Sequence, residues 1–285
     1  MSTRVGVVGV GNMGAAMARA VGRGGFPLTV YDPNAKACEA LAAEGAAVAS
    51  SPREVAAASD LVLIVVLNDD QVRGVLRGDD GILAAAHPGL RVVIHSTIHV
   101  ETVLEVAATA ADAGVPLLDA GVTGSVEGAE TGQLATMVGG APEVLEECRP
   151  VLDCYSAIVS RMGDLGAGMR AKVARQVILF LQAAALHEGM RLAEAAGVDL
   201  PELGKMVEQA NKLNRVQEML WMRGTAHMAD PATDFGKKMI AAGKYTADIA
   251  EKDLGAALGL ARDLKLDLPL TAIAVTRMKD VFGAR

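Results

Sequence analysis

The feature that most constrains this sequence is a glycine-punctuated turn near its start. A short apolar run, Val5–Val8, leads directly into Gly9, Val10, Gly11, Asn12, Met13 and Gly14, and the residues that follow carry helical spacing. Strand, GxGxxG and helix in that order form the arrangement that seats a dinucleotide pyrophosphate on a helix N-terminus. Gly9 permits the tight turn, Gly11 lets the backbone approach the anion with no Cβ in the way, and Gly14 lets helix and strand pack closely. The free N–H groups and partial positive charge of the helix start then favour the anion. A glycine turn without a ligand is the bland alternative, and the flanking pattern argues against it. Asp32 ends the next apolar run, Leu28–Tyr31, about twenty residues past the loop, where a carboxylate accepts hydrogen bonds from the adenine ribose and repels a 2′-phosphate. Capping of the helix after Pro33 is a compatible second role. NAD is therefore favoured over NADP, although Lys36 lies near enough to weaken the exclusion.

The same alternation continues through the first half of the chain. Further apolar runs at 61–66, Arg91–Ile94, 115–118 and 135–138 are bounded by turn residues and separated by Ala-rich helical stretches, with Pro52 and Pro142 placed as first-turn prolines. Strands alternating with helices imply a doubly wound, mostly parallel sheet covered on both faces. Strand signals end after Val159. Residues 166–196 read as one long helix, followed by helical stretches at 201–209, 214–223, 249–264 and 270–281. The predicted organisation is a Rossmann-type α/β domain over residues 1–162, then an all-α domain over 163–285 joined by a long interdomain helix. The middle of that helix, residues 177–181, is apolar on every side, so it requires burial all round. A small domain cannot easily provide this, which implies a homodimer or homotetramer with the helix at the interface.

Composition removes several function classes. The formal net charge is −7, so the chain as a whole repels phosphate backbones and nucleic acid is excluded as a general partner. Three cysteines, Cys38, Cys148 and Cys154, form no CxxC pair and suit a reducing compartment. His95 and His99 lie four apart with no carboxylate or thiol cluster beside them, so no metal site is predicted. The apolar runs are far too short to span a bilayer, and no cleavable leader is recognisable. A cytoplasmic protein is expected.

Four separated motifs together resemble the β-hydroxyacid dehydrogenases, typified by 3-hydroxyisobutyrate dehydrogenase. The first is the phosphate loop, with Asn12 and Met13 inside it. The second, Leu118-Asp119-Ala120-Gly121-Val122-Thr123-Gly124-Ser125, is similar to that family's substrate loop. The third, Gly166-Ala167-Gly168 followed by Lys172, is similar to its catalytic helix. The fourth, Lys252-Asp253-Leu254, is similar to the late motif whose lysine approaches the nicotinamide. Ser96 and Thr97 match the family's Ser-Thr pair, and Leu67 and Asn68 match a cofactor-contacting turn, with Asn68 where proline is usual. Three positions depart from the pattern. Gly121 replaces proline and is expected to loosen the substrate loop. Thr123 and Ser125 replace serine and glycine. Gln176 stands where the catalytic helix usually carries asparagine, four residues after the lysine.

The resemblance implies NAD-dependent interconversion of a small 3-hydroxy acid and its semialdehyde or keto acid, with Lys172 as general acid/base and Gln176 beside it. Ser96, Thr123, Gly124 and Ser125 would bind the substrate. Gly9, Val10, Gly11, Asn12, Met13, Gly14, Asp32, Leu67, Asn68, Thr97 and Lys252 would bind the cofactor. On the residues alone, Lys172 sits in an apolar stretch that could desolvate its amine, while an exposed surface lysine is the ordinary alternative. For Lys252 the alternative is an exposed residue opening a helix. Imine or keto reduction on the same scaffold, and a weakly active nucleotide-binding scaffold, are the competing functions; Lys172 argues against the imine reductases. The substrate loop carries no Arg or Lys cluster, which favours a short, unphosphorylated acid.

Overall fold

The computed structural model describes residues 2–213 and 215–284, which fall into two compact units dividing between Val177 and Ile178. In the first unit, eight strands among the described residues form one sheet: β1 (Val5–Val8), β2 (Leu28–Tyr31), β3 (Ala47–Val48), β4 (Leu61–Ile64), β5 (Arg91–Ile94), β6 (Leu117–Thr123), β7 (Leu134–Gly139) and β8 (Ser156–Gly163). Their order is β3-β2-β1-β4-β5-β6-β7-β8. All neighbours are parallel except β6 and β7, which pair antiparallel from Asp119 opposite Gly139 to Thr123 opposite Ala135. This is the Rossmann topology, with the strand order reversing between β1 and β4. β1 and β4 are buried along their full length, as central parallel strands covered on both faces must be. Two apolar clusters flank the sheet. One gathers Met17, Val21, Leu41, Leu118, Leu134 and Tyr155, and the other Ile64, Leu76, Ile94, Val103, Val106 and Met169.

The helices of this unit are α1 (Asn12–Arg23), α2 (Ala35–Ala43), α3 (Pro52–Ala57), α4 (Asp69–Leu76), α5 (Val100–Asp112), α6 (Val126–Glu130) and α7 (Pro142–Leu152). Pro52 and Pro142 occupy first-turn positions, where a missing N–H costs nothing. Helix α8 (Ala167–Ala195) runs across the division. The second unit continues with α9 (Leu200–Asn211), α10 (Val216–Met222), α11 (Asp234–Asp263), α12 (Pro269–Val275) and α13 (Met278–Val281), with no strand among its described residues. Glu188 of α8 is buried and accepts hydrogen bonds from the Leu270 and Thr271 amides at 2.7 and 2.8 Å, tying α8 to the start of α12.

Several elements differ from their sequence reading. β3 is only two residues long, below what a pattern can register. β8 carries Ser156, Ser160 and Arg161 and pairs on one side alone, so it lacks the apolar run of a central strand. β6 extends five residues beyond the predicted end at Leu118, because β7 supplies an antiparallel partner as far as Thr123. α11 begins fifteen residues before the predicted start at Ile249, capped by the Thr233 hydroxyl. The stretch 270–281 is broken at Thr276 and Arg277. Asn214, the predicted start of α10, lies outside the described residues. No helix among the described residues is long and apolar enough to cross a membrane.

Candidate active site

Ligands of doubly wound sheets bind beyond the carboxyl ends of the strands where the order reverses. Here those ends belong to β1 and β4, and a cleft of about 770 Å³ opens there, lined by Gly9, Gly11, Asp32, Val66, Leu67 and Gln71 among others. Gly9 has φ +91°, and a Cβ on it would strike the Val65 carbonyl oxygen. A Cβ on Gly14 would strike the Gly9 carbonyl oxygen, so helix and loop are in direct backbone contact. A Cβ on Gly11 would meet nothing within 4 Å: that glycine faces open space. Gly11 is also the N-cap of α1, with no side-chain cap and no acidic residue in the first turn. Backbone amides at an uncapped helix start, beside a glycine facing the cleft, fit a pyrophosphate. Val10 is buried, whereas Asn12 is exposed and Met13 half-buried at the start of the helix.

Asp32 does more than its position beside β2 implied. Its Oδ2 accepts the Val10 amide at 3.0 Å and its Oδ1 the Asn34 amide at 2.9 Å. One carboxylate thus ties the phosphate loop to the end of β2 and shapes the turn into α2. Each oxygen keeps a further acceptor site, and Asp32 lines the cleft. After β4, Leu67 is 87% exposed at the cleft, and its amide donates to Gln71 Oε1 at 2.8 Å. Asn68, in place of the usual proline, caps α4 by accepting the Gln71 amide at 2.9 Å. Ser96 is buried and accepts the Val66 amide at 2.9 Å, joining the ends of β4 and β5, while Thr97 is exposed.

Farther along the sheet, α8 meets β6. Asp119 is fully buried in β6 and clamps the start of α8, its Oδ1 accepting the Gly166 amide at 2.7 Å and its Oδ2 the Met169 amide at 2.6 Å. Burial raises the pKa of this carboxyl, while the two amide bonds pull it down. A Cβ on Gly168 would lie 2.5 Å from both the Asp119 and Met137 carbonyl oxygens, so only glycine lets α8 start this close to the sheet. Three residues beyond Met169, Lys172 is 8% exposed. Burial lowers the pKa of its amine, and the charge of Arg175 lowers it further. A Cβ on Gly121 would lie 2.5 Å from Lys172 Cβ. Gly121 is therefore not a loosening element in a loop. It is a buried ladder residue opposite Met137, and what it provides is close approach to the lysine. Thr123 ends β6, Gly124 turns the chain at φ +138°, and Ser125 caps α6 by accepting the Gly128 amide at 2.9 Å. Gln176 follows Lys172 by one helical turn, and its Oε1 is buried without a hydrogen-bond partner.

The first unit thus gathers the loop residues, Asp32, Leu67, Asn68, Ser96 and Thr97 at the strand ends, and brings Lys172 against β6. Lys252 lies in the second unit. It does not open a helix: it is exposed in the second half of α11, 3.1 Å from Asp253.

Residues 4–163 match the sequence profile described as the NAD binding domain of 6-phosphogluconate dehydrogenase, and residues 166–282 that described as NAD-binding of NADP-dependent 3-hydroxyisobutyrate dehydrogenase. The 3-hydroxyisobutyrate dehydrogenase of Pseudomonas aeruginosa is 32% identical over 274 residues, 95% of this chain and 90% of that protein. The chain belongs to the β-hydroxyacid dehydrogenase family. It is an oxidoreductase with an NAD(P)-binding domain. Among solved structures, an oxidoreductase from Mycobacterium avium 104 matches with a TM-score of 0.88 and 36% identity, covering 99% of each chain. The 3-hydroxyisobutyrate dehydrogenase of Mycobacterium tuberculosis, solved with L-serine, matches with a TM-score of 0.69 and 31% identity, covering 98% of this chain and 93% of that one.

Within this β-hydroxyacid dehydrogenase, sequence reading missed the groups that brace the site. The Asp119 clamp left one signal, an acid inside an apolar run. His95 left none. It is buried at the end of β5, with Nδ1 2.7 Å from the Ala120 carbonyl oxygen and Nε2 3.0 Å from the Tyr155 hydroxyl. Both ring nitrogens are thus engaged with protein groups, and one of them holds the residue next to Gly121.

Proposed function

We propose that this enzyme uses NAD to oxidise a short 3-hydroxy acid to its semialdehyde or keto acid, or runs the reverse reduction, with Lys172 as the general acid/base. The observation that carries the reading is the burial of Lys172 against Gly121 at the start of α8. An exposed lysine is protonated near neutral pH and cannot accept a proton. Desolvation and the neighbouring guanidinium both shift Lys172 toward its neutral amine. When bound, NAD supplies the hydride acceptor for the carbinol carbon. Lys172 Nζ takes the hydroxyl proton during oxidation and returns it during reduction. Gln176 shares the lysine's helix face, and its unpartnered Oε1 is free to accept from the substrate hydroxyl or from the lysine ammonium. Thr123, Gly124 and Ser125 hold the substrate carboxylate through backbone amides and hydroxyl groups, assisted by Ser96.

On the cofactor side, residues 9–14 hold the pyrophosphate and Asp32 the adenine ribose, with Leu67, Asn68 and Thr97 as further cofactor contacts in the first unit. Asp32 is the basis for preferring NAD over NADP. The resemblance to 3-hydroxyisobutyrate dehydrogenases supports a 3-hydroxy acid as substrate.

One set of initial-rate measurements at 340 nm tests both parts. Lys172→Ala should lower kcat by about 10²–10⁴-fold while leaving NAD affinity close to that of the parent enzyme. The parent should prefer NAD by roughly tenfold or more, since one charged contact is worth a few kcal/mol at most. Near-normal kcat in Lys172→Ala overturns the lysine's role, and equal kcat/KM with NAD and NADP overturns that of Asp32.

We propose further that the protein is a homodimer or homotetramer through α8. In the single chain Val177, Ile178, Phe180 and Leu181 are 42–62% exposed, an unfavourable arrangement for four large apolar side chains within five residues. Sedimentation equilibrium at micromolar protein should give a mass at least twice that of the chain, and a monomer would refute the assembly.

A further inference from the structure

Lys172 is not the only cation on its helix face. Arg175 follows it by three residues and immediately precedes Gln176, so all three side chains project from one side of α8. Arg175 Nη1 is buried and has no hydrogen-bond partner, and the same holds for Gln176 Oε1 beside it. Most arginines of this unit are paired with carboxylates, among them Arg73 and Arg77 with Glu105, Arg91 with Glu147 and Arg149 with Glu146. Carboxylates are not scarce, since the chain has 34 acidic against 27 basic residues. A guanidinium stays charged at any physiological pH and presents a planar fork of donors that matches a carboxylate. Burying part of that fork without an anion is costly, and the cost is removed when a ligand brings the anion. Arg175 lies three residues from Lys172 on α8, so their side chains are neighbours on the helix surface and an anion on this guanidinium would be near the Lys172 amine.

We propose that Arg175 determines substrate class by binding a second carboxylate, so that the enzyme acts on hydroxy dicarboxylic acids in preference to hydroxy monocarboxylic acids. This rests on the reading of Lys172 and Gln176 as the hydroxyl-binding pair. The turn Thr123-Gly124-Ser125 carries no cationic side chain and serves one carboxylate with amides and hydroxyls. Arg175 is a separate, charged station, which a monocarboxylic acid held at that turn leaves unmatched.

Binding of unreactive acids tests the charge station apart from the proton transfer. Titration calorimetry on the NAD-loaded enzyme would compare glutarate with butyrate, neither of which has a hydroxyl to oxidise. The parent enzyme should bind glutarate about 10- to 100-fold more tightly, the range of one charge-assisted bidentate contact. Arg175→Met should bring the two affinities within about twofold, and Arg175→Lys should keep part of the difference. In turnover, 2-(hydroxymethyl)glutarate should outpace 3-hydroxyisobutyrate in kcat/KM for the parent enzyme, with the gap reduced mainly through KM in Arg175→Met. Equal affinities in the parent, no binding of either acid, or a glutarate preference that survives in Arg175→Met each overturn the proposal. If Arg175→Met does not fold, the parent's ratio and Arg175→Lys still decide. Failure of the Lys172 reading registers separately, as turnover retained in Lys172→Ala whatever the two affinities are.

Discussion

His95 should contribute a separable part of this protein's loss of stability on acidification. Its Nδ1 faces the Ala120 carbonyl oxygen at 2.7 Å and so carries the ring proton, which leaves Nε2 to accept from the Tyr155 hydroxyl at 3.0 Å. Burial holds the Tyr155 phenol well above its ordinary pKa, so it keeps that proton. The two rings meet edge-on at 5.6 Å and 85°. Burial also pushes the imidazole from 6.5 down to about 4, against a smaller opposing effect of the Ala120 carbonyl. The unfolded chain therefore binds the proton first as pH falls. Stability is intact above the unfolded value and is lost as pH drops toward the folded one. With about 1.4 kcal/mol per pKa unit, the loss between about pH 7.5 and about pH 4.5 is roughly 2.5 kcal/mol. Urea unfolding of the parent and His95→Asn, at both pH values and fixed protein concentration, isolates it. Asparagine can still donate to Ala120 but does not titrate, and the carboxylates common to both proteins cancel. The stability gap between parent and variant should narrow by about 2.5 kcal/mol at the lower pH. A gap that stays constant to within about 0.5 kcal/mol would show that His95 is not held neutral in the folded state.

Two substitutions probe the seam between β6 and α8. Gly121→Ala places a methyl group 2.5 Å from Lys172 Cβ and 3.0 Å from its Cγ; it should cost about 1–3 kcal/mol in unfolding free energy and lower kcat by roughly 10²-fold through displacement of the amine. A destabilised Gly121→Ala enzyme with undiminished kcat would mean that the position of Lys172 does not control the reaction. Asp119→Asn turns an amide N–H₂ toward the Gly166 or Met169 N–H and forfeits one charge-assisted bond, so urea unfolding should register a loss of about 1.5–3 kcal/mol. No measurable loss would remove Asp119 as the clamp of α8.

What the sequence determined by itself is the part of the protein whose physics is local. The GxGxxG turn needs glycines at Gly9, Gly11 and Gly14 for backbone reasons that hold in any tertiary setting. The strands β1, β2 and β5 appear with their predicted bounds because each is a short β-branched run closed by turn residues. The long helix α8 declared itself through twenty-nine residues nearly free of breakers. The tertiary structure decided everything that depends on a distant partner. β8 is a strand only because β7 lies beside it, and the supposed loop at Gly121 is a strand for the same reason. Asp119 reads as one acid in an apolar run until α8 arrives, forty-seven residues later, to present two amides. His95 is a lone histidine until Tyr155 and Ala120 close around it. Arg175 is only the charged neighbour of Gln176 until packing buries its Nη1 and supplies no anion. Desolvation and hydrogen-bond partnership are properties of the space around a group, and chain neighbours fill only a small part of that space.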